Sequence, residues 1–512
     1  MRHTTHATRR HFLQSAAATG ALVGFDGLTG LLSRLKPVSA AEARLNPSLV
    51  RLDPSIEPLV RFLEDTPRER LLEEIADRIH KGLTYREALA ALLLAGVRNV
   101  QPRPNVGFKF HAVLVVNSAH LASLNSPDTD RWLPILWAME YFKRSQSETE
   151  KANGWKMAPV DESKVPPLSK AREAFAEAMD NWDETAADAA VAAVARTGSM
   201  AEALELFARY GPRDFRDIGH KAIFVANSFR TLQCIGWQHA EPVLRSLAYA
   251  LLKRESENPA KADLPPDRPG RRAAELARKV QYAWQDGKPS PEATADLLST
   301  LRTGSDEDAQ RQVVELLNKE VAPQSIWDAI LSGGGELLMR QPGIATLHSL
   351  TSANAMRYAY EASGDPRTRL MLLLQNAAFV PLFRGMIDKG KVSAPKVRVD
   401  QFEPAEPKSD GADAVNDIFA TAGRSRMEAA SKALGYLKGP EQAKQLIQTA
   451  RRLVFLKGRD AHDYKFSSAV LEDYYHLSPQ VRDRYLAAAM FYLPSTAAKD
   501  NDLVKRARAA LG

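Results

Sequence analysis

The sequence predicts an all-α protein, a helical repeat array of about four multi-helix units wound as a solenoid or closed as a toroid. Three observations predict it. Apolar residues beyond about residue 45 recur at three and four, as in Leu71-Leu72, Ile75 and Ile79, or Ala203-Leu204 and Phe207, which marks one helix face. No period-two strand pattern of any length interrupts them. Helix types also follow one another in a repeated order, and each round contains a histidine that opens an apolar helix. These are His111, His220, His348 and His462, at intervals of 109, 128 and 114 residues. With 512 residues, 45% of them hydrophobic, the chain has ample material for several domains or one long array.

The first element reads as an address. Thr8-Arg9-Arg10-His11-Phe12-Leu13-Gln14 matches the twin-arginine export signal. The apolar stretch from Ser15 to Leu35 follows, too broken by glycines and Asp26 to span a membrane. Val38-Ser39-Ala40 supplies small residues for cleavage. The match implies a signal peptide over 1–40, the twin-arginine translocase as a partner, and a periplasmic or otherwise exported protein with no stable transmembrane segment once mature. The segment also explains the charge. Arg2, Arg9, Arg10, Arg34 and Lys36 against Asp26 account for +4 of the formal +7, leaving +3 for the rest. That near-neutral remainder, with no basic stripe bearing stacking aromatics, argues against nucleic acid. The single cysteine, Cys234, excludes intrachain disulfides and cysteine-rich metal ribbons, and reads as a small buried hydrophobe.

Four helical units follow, over 45–146, 170–254, 272–390 and 412–512. Each has a leading helix: Tyr85 to Gly96, Met200 to Gly211, Gln324 to Leu331, and Pro440 to Ile447. The histidine helix comes next, and then a further apolar helix beginning at Arg131, Pro242, Arg367 or Arg482. Lower-complexity linkers separate the units. The last, Val392 to Gly411, reads as an extended loop that can lie as a lid over a cleft. Ser332-Gly333-Gly334-Gly335 lacks the preceding strand and following lysine of a phosphate loop and reads as a helix break.

The chemistry rests on the histidines. Imidazole is costly to bury without a partner and is the commonest metal ligand. No two of these histidines stand four apart, so a metal needs ligands from different helices, as in helical-bundle sites. If the units close about a common axis, the leading histidines converge. The candidate ligands are His111, His220, His348 and His462, with His120 and His239 as neighbours in the same clusters. Asn117, Asn227 and Asn354 follow three of the leading histidines and can orient them around a cofactor. Asp217 precedes His220 by three, and with Tyr474 it is a candidate for moving protons. Imidazoles with few carboxylates suit iron, copper or zinc, and a non-covalent haem gripped by two histidines is also open. His80 stands apart on a helix of its own.

At Leu347-His348-Ser349-Leu350-Thr351-Ser352-Ala353-Asn354-Ala355, and less closely at Gly219-His220 and Gly107-Phe108-Lys109-Phe110-His111, the chain resembles the questin oxidase-like family. The resemblance spans short stretches between about residues 105 and 385. It implies a helical protein and an oxidative role for His111, His220 and His348. Fungal members are linked to oxidative opening of anthraquinone rings with NADPH. The export signal and the unit containing His462 depart from that pattern, and export sets the chain apart from a cytoplasmic NADPH pool. The expectation is therefore an exported, histidine-lined, metal-dependent redox protein, an oxidase or monooxygenase of a small organic molecule. The competing class is a non-enzymatic helical scaffold whose histidines are architectural.

Overall fold

Helix starts are written plainly into the outer helices. Thr84 and Glu87, Ser199 and Glu202, and Ser305 and Asp308 each form a reciprocal capping box, satisfying N–H groups that the helix leaves orphaned. The computed structural model describes residues 48–512 apart from 103–109, 253–257, 390–391 and 395. The predicted signal peptide, with Arg9 and Arg10, lies outside the described residues. Among those residues are twenty-two α-helices and no strand, only an isolated bridge between Lys288 and Val321. The all-α expectation therefore holds.

Four helices form the centre: α1 (His111–Leu124), α2 (His220–Ile235), α3 (Ile344–Ala362) and α4 (Ala461–Asp473). α1 packs on α2, α2 on α3, α3 on α4, and α4 returns to α1. They run parallel. Ser118 and Ser468 meet at 2.9 Å, seven and six residues past His111 and His462, and Arg230 meets Asn354 at 3.1 Å further along. Helices buried on all sides need no polar face. Accordingly, residues 111–120 of α1 are all buried.

Outer helices, named by their residues, cover this centre. Tyr85–Asn99 and Leu133–Ala152 flank α1, Met200–Tyr210 and Ala240–Leu252 flank α2, and Pro323–Arg340 and Pro366–Ile387 flank α3. Pro440–Lys457 packs on α4. Pro366–Ile387 is long and apolar enough to cross a membrane by length and composition, and 72% of its apolar window is buried in the protein.

One local expectation is corrected. The Ser332–Gly335 run does not break a helix; it lies inside Pro323–Arg340. A Cβ on Gly334 would come within 3.0 Å of Leu350 and 3.2 Å of Ser349, both on α3, so the missing side chain lets two backbones approach. The described part of the 392–411 segment is tied down against the helices. Val399 N–H donates to Glu336 at 3.0 Å, Arg302 pairs with Asp400, and Arg484 donates to the Phe402 carbonyl at 2.6 Å, while Val399 and Phe402 are buried.

The start of α2 is a steric necessity. Gly219 has φ +82, and a Cβ there would stand 2.4 Å from the Ser352 side chain of α3. Only glycine lets the first residue of α2, His220, sit this close to α3.

Candidate metal centre

Each inner helix carries its histidine near its N-terminus: first in α1 and α2, fifth in α3, second in α4. Parallel helices with matched ends bring these positions to one level. Ring centroids are 5.1 Å apart for His111 and His220, 4.2 Å for His220 and His348, 5.1 Å for His348 and His462, and 4.6 Å for His462 and His111. One ligand nitrogen from each ring lies within 4.8 Å of all the others. His111 Nε2 and His220 Nε2 are 3.1 Å apart. With metal–nitrogen bonds of about 2.1 Å, a square set places neighbours about 3.0 Å and opposite ligands about 4.2 Å apart, whereas a tetrahedral set places all pairs about 3.4 Å apart. The 3.1 Å between His111 Nε2 and His220 Nε2 is compatible with either arrangement.

Proton positions follow from the partners. His220 Nδ1 lies 2.7 Å from the Asp217 carbonyl and His348 Nδ1 lies 2.7 Å from the Ile344 carbonyl. Carbonyls only accept, so both protons sit on Nδ1 and both Nε2 atoms present lone pairs. His462 Nδ1 donates to Asp460 at 2.5 Å in the same sense. This is the outward hydrogen bonding that orients metal-binding imidazoles. His111 differs: its Nδ1 has no hydrogen-bond partner among the described residues, and its Nε2–H serves the His220 lone pair. His348 Nε2 also lacks a partner there.

Burial is the largest cause that pushes the protonation of His111, His220 and His348 well below the ordinary histidine range. Lys465 adds to it in all three cases. It stands one turn past His462 on α4, is 2% exposed, and its Nζ has no hydrogen-bond partner among the described residues. Burial brings the Lys465 ammonium down to about 7, against the opposing charge of Asp460. Lys221, equally buried beside His220, is held by both oxygens of Asp214 at 2.7 and 2.9 Å.

The remaining candidates lie elsewhere. His120 is not in the cluster: its Nε2 is 3.2 Å from Cys234 Sγ and its Nδ1 3.0 Å from the Tyr85 hydroxyl. Cys234 is thus half-buried beside an imidazole rather than sunk in an apolar core. His239 sits beyond the end of α2, 3.4 Å from Gln238. Asn227 donates to the Leu114 carbonyl at 2.8 Å, and Asn117 is buried on α1. Asp217 serves His220 through its backbone carbonyl. The Tyr474 hydroxyl donates to Asp483 at 3.2 Å, just past the C-terminal end of α4 and far from the histidines. His80 is exposed on an outer helix.

Asn354 belongs to a second polar layer at the far end of the inner helices. Its Nδ2 donates to Glu472 at 2.7 Å and to Asp473 at 2.8 Å. Arg230 pairs with Glu472 at 2.6 Å, and the Tyr485 hydroxyl donates to Asp473 at 2.8 Å. Burial raises the Asp473 carboxyl to about 7.

Compared with family models, curated proteins and solved structures, the chain matches none. The site stands on its own geometry. Four buried histidines from four helices are close enough to hold one metal ion.

Proposed function

We propose that His111, His220, His348 and His462 hold one redox-active transition metal, and that the protein is an exported metal-dependent oxidoreductase acting on a small organic molecule. One observation carries the reading: three of the four Nε2 lone pairs are aimed inward by fixed Nδ1–H donors, and the ligand nitrogens lie within 4.8 Å. Lone pairs that converge attract a cation. An all-imidazole set suits copper, iron or zinc, and the redox reading takes copper or iron. A haem does not fit, because four rings packed this closely leave no room for a porphyrin between them. A metal held by four histidines would still be able to take a further ligand, such as a substrate or oxidant. The resemblance to questin oxidase-like proteins supports oxidation as the chemistry, and the Arg9-Arg10 signal supports export of a protein that folds, and takes its metal, before transport.

The His111–His220 hydrogen bond favours the scaffold reading, in which the imidazoles satisfy one another. Metal analysis of mature protein recovered from the exported fraction of its native host separates the two. The expected result is one copper or iron per chain, with a melting point lowered by chelation. Metal-free protein that ignores chelators would leave the scaffold. Stoichiometric zinc would keep the site and end the redox assignment. Replacing Arg9 and Arg10 by lysine should retain the precursor in the cytoplasm, and continued export would end the export assignment.

A further inference from the structure

Charge around the four histidines is one-sided. The imidazoles are neutral ligands, so a bound dication keeps its full charge. The N-termini of α1 to α4 all lie at this level, and each presents a partial positive charge equivalent to roughly half an elementary unit. Lys465 adds an ammonium. Against these stands Asp460, which already accepts from His462 Nδ1, from the His462 backbone N–H at 2.8 Å, and is 42% exposed. Asp463 is turned the other way, accepting from the backbone of Arg459 and Asp460 at the cap of α4. Burying uncompensated charge of one sign costs several kcal/mol per ion. The chain knows how to avoid this, since Lys221 receives Asp214. Lys465 has no such partner among the described residues.

We infer that the metal centre takes an anionic co-ligand, a small carboxylate or oxyanion, with one oxygen on the metal and another accepting a hydrogen bond from Lys465 Nζ. The inference rests on the metal reading above and narrows it, because it makes the substrate or its oxidised product an anion. The geometry supports a bridge. Lys465 is three residues past His462, hence on the same face of α4, and it acts electrostatically on His111, His220 and His348 from its own helix. His111, His220 and His348 are buried and His462 only partly so, which gives a small anion an approach beside His462.

The test uses the full chain loaded with copper(II), titrated with acetate, phosphate and azide while the visible and paramagnetic resonance spectra are followed. Acetate and phosphate distinguish a carboxylate site from an inorganic oxyanion site, and azide reports any open metal position. In the wild type, acetate or phosphate should shift the spectrum saturably. Lys465→Met should keep metal stoichiometry and the azide response but bind that anion at least tenfold more weakly, and Lys465→Arg should restore part of the loss. Removing an unpaired buried amine should not lower the melting point. Equal acetate and phosphate affinities in wild type and Lys465→Met overturn the inference and leave the metal reading intact. Wild-type protein that takes up no copper, iron or zinc overturns the metal reading and the inference together. If Lys465→Met fails to load metal, the wild-type titration decides alone, and an unshifted spectrum with both anions overturns the inference.

Discussion

At their N-terminal ends α1 to α4 gather four imidazoles and a lysine around one partly exposed carboxylate. Six to eleven residues further along, three of these helices, α2 to α4, gather Arg230, Asn354, Glu472 and Asp473, and there each group has a partner within 2.6–3.1 Å. The two layers share helices, burial and direction. They differ in whether the chain supplies the counterparts. At the far end it does, and the layer acts as an internal clasp. At the histidine end His348 Nε2 and Lys465 Nζ have no partner among the described residues, each at a cost of roughly 1–3 kcal/mol. The contrast is what the proposed metal and its anion would account for, since each would supply a counterpart at the histidine end.

The sharpest way to break this comparison is to remove a ligand. His220→Ala and His348→Ala should each weaken metal binding by tenfold to a hundredfold or more, read by competition with a chelating indicator, while circular dichroism keeps most of its helix signal. A variant that binds metal as tightly as wild type would place the site elsewhere.

The complementary change is Arg230→Met. It strips Glu472 of its cation where Asp473 is the next residue, and should lower stability by about 1–3 kcal/mol in urea denaturation. Metal affinity should stay within about twofold. Metal lost as readily as in His220→Ala would mean that the two layers act as one.

The smallest effect is a pair of opposed pH slopes, measured on metal-free protein. The histidines are held below their unfolded value of about 6.5, so the unfolded chain binds more protons once the pH falls beneath it. Their contribution to stability is present above about 6.5 and lost as the pH falls through the range below. Asp473 is raised to about 7, so its contribution is present below the unfolded value of about 3.9 and is lost as the pH rises toward 7. Asp473→Asn should remove the second slope alone, gaining on wild type between pH 5 and pH 7.5. A parallel pH profile in the two proteins would show that Asp473 does not titrate there.

Much of the centre could be read from spacing. Four histidines at the heads of four apolar helices converge once the helices are parallel, and nothing finer than helix order is needed to see it. His120 was separable by arithmetic: nine residues are two and a half turns of α-helix, which turns it to the side of α1 opposite His111. His239 lies past the last residue of α2, where helical spacing no longer applies. Lys465 was hidden for a different reason. A lysine in a helix reads as solvent-facing, and only the closure of α4 against both α3 and α1 shows that no solvent face is left. The glycine run misled because Gly-Gly-Gly favours a break in isolation, whereas contact with Leu350 and Ser349 decides it in the fold.

Ring closure also sets a clock. His111 and His462 touch across 351 residues of chain, so the fourth wall of the site is the last to leave the ribosome. Contacts of such long sequence separation form late and slowly. A nascent chain therefore offers an incomplete claw for most of its synthesis, and a chain ending before Ala461 never completes it. If the centre takes a metal, its occupancy would report that a polypeptide has been made through that helix and folded.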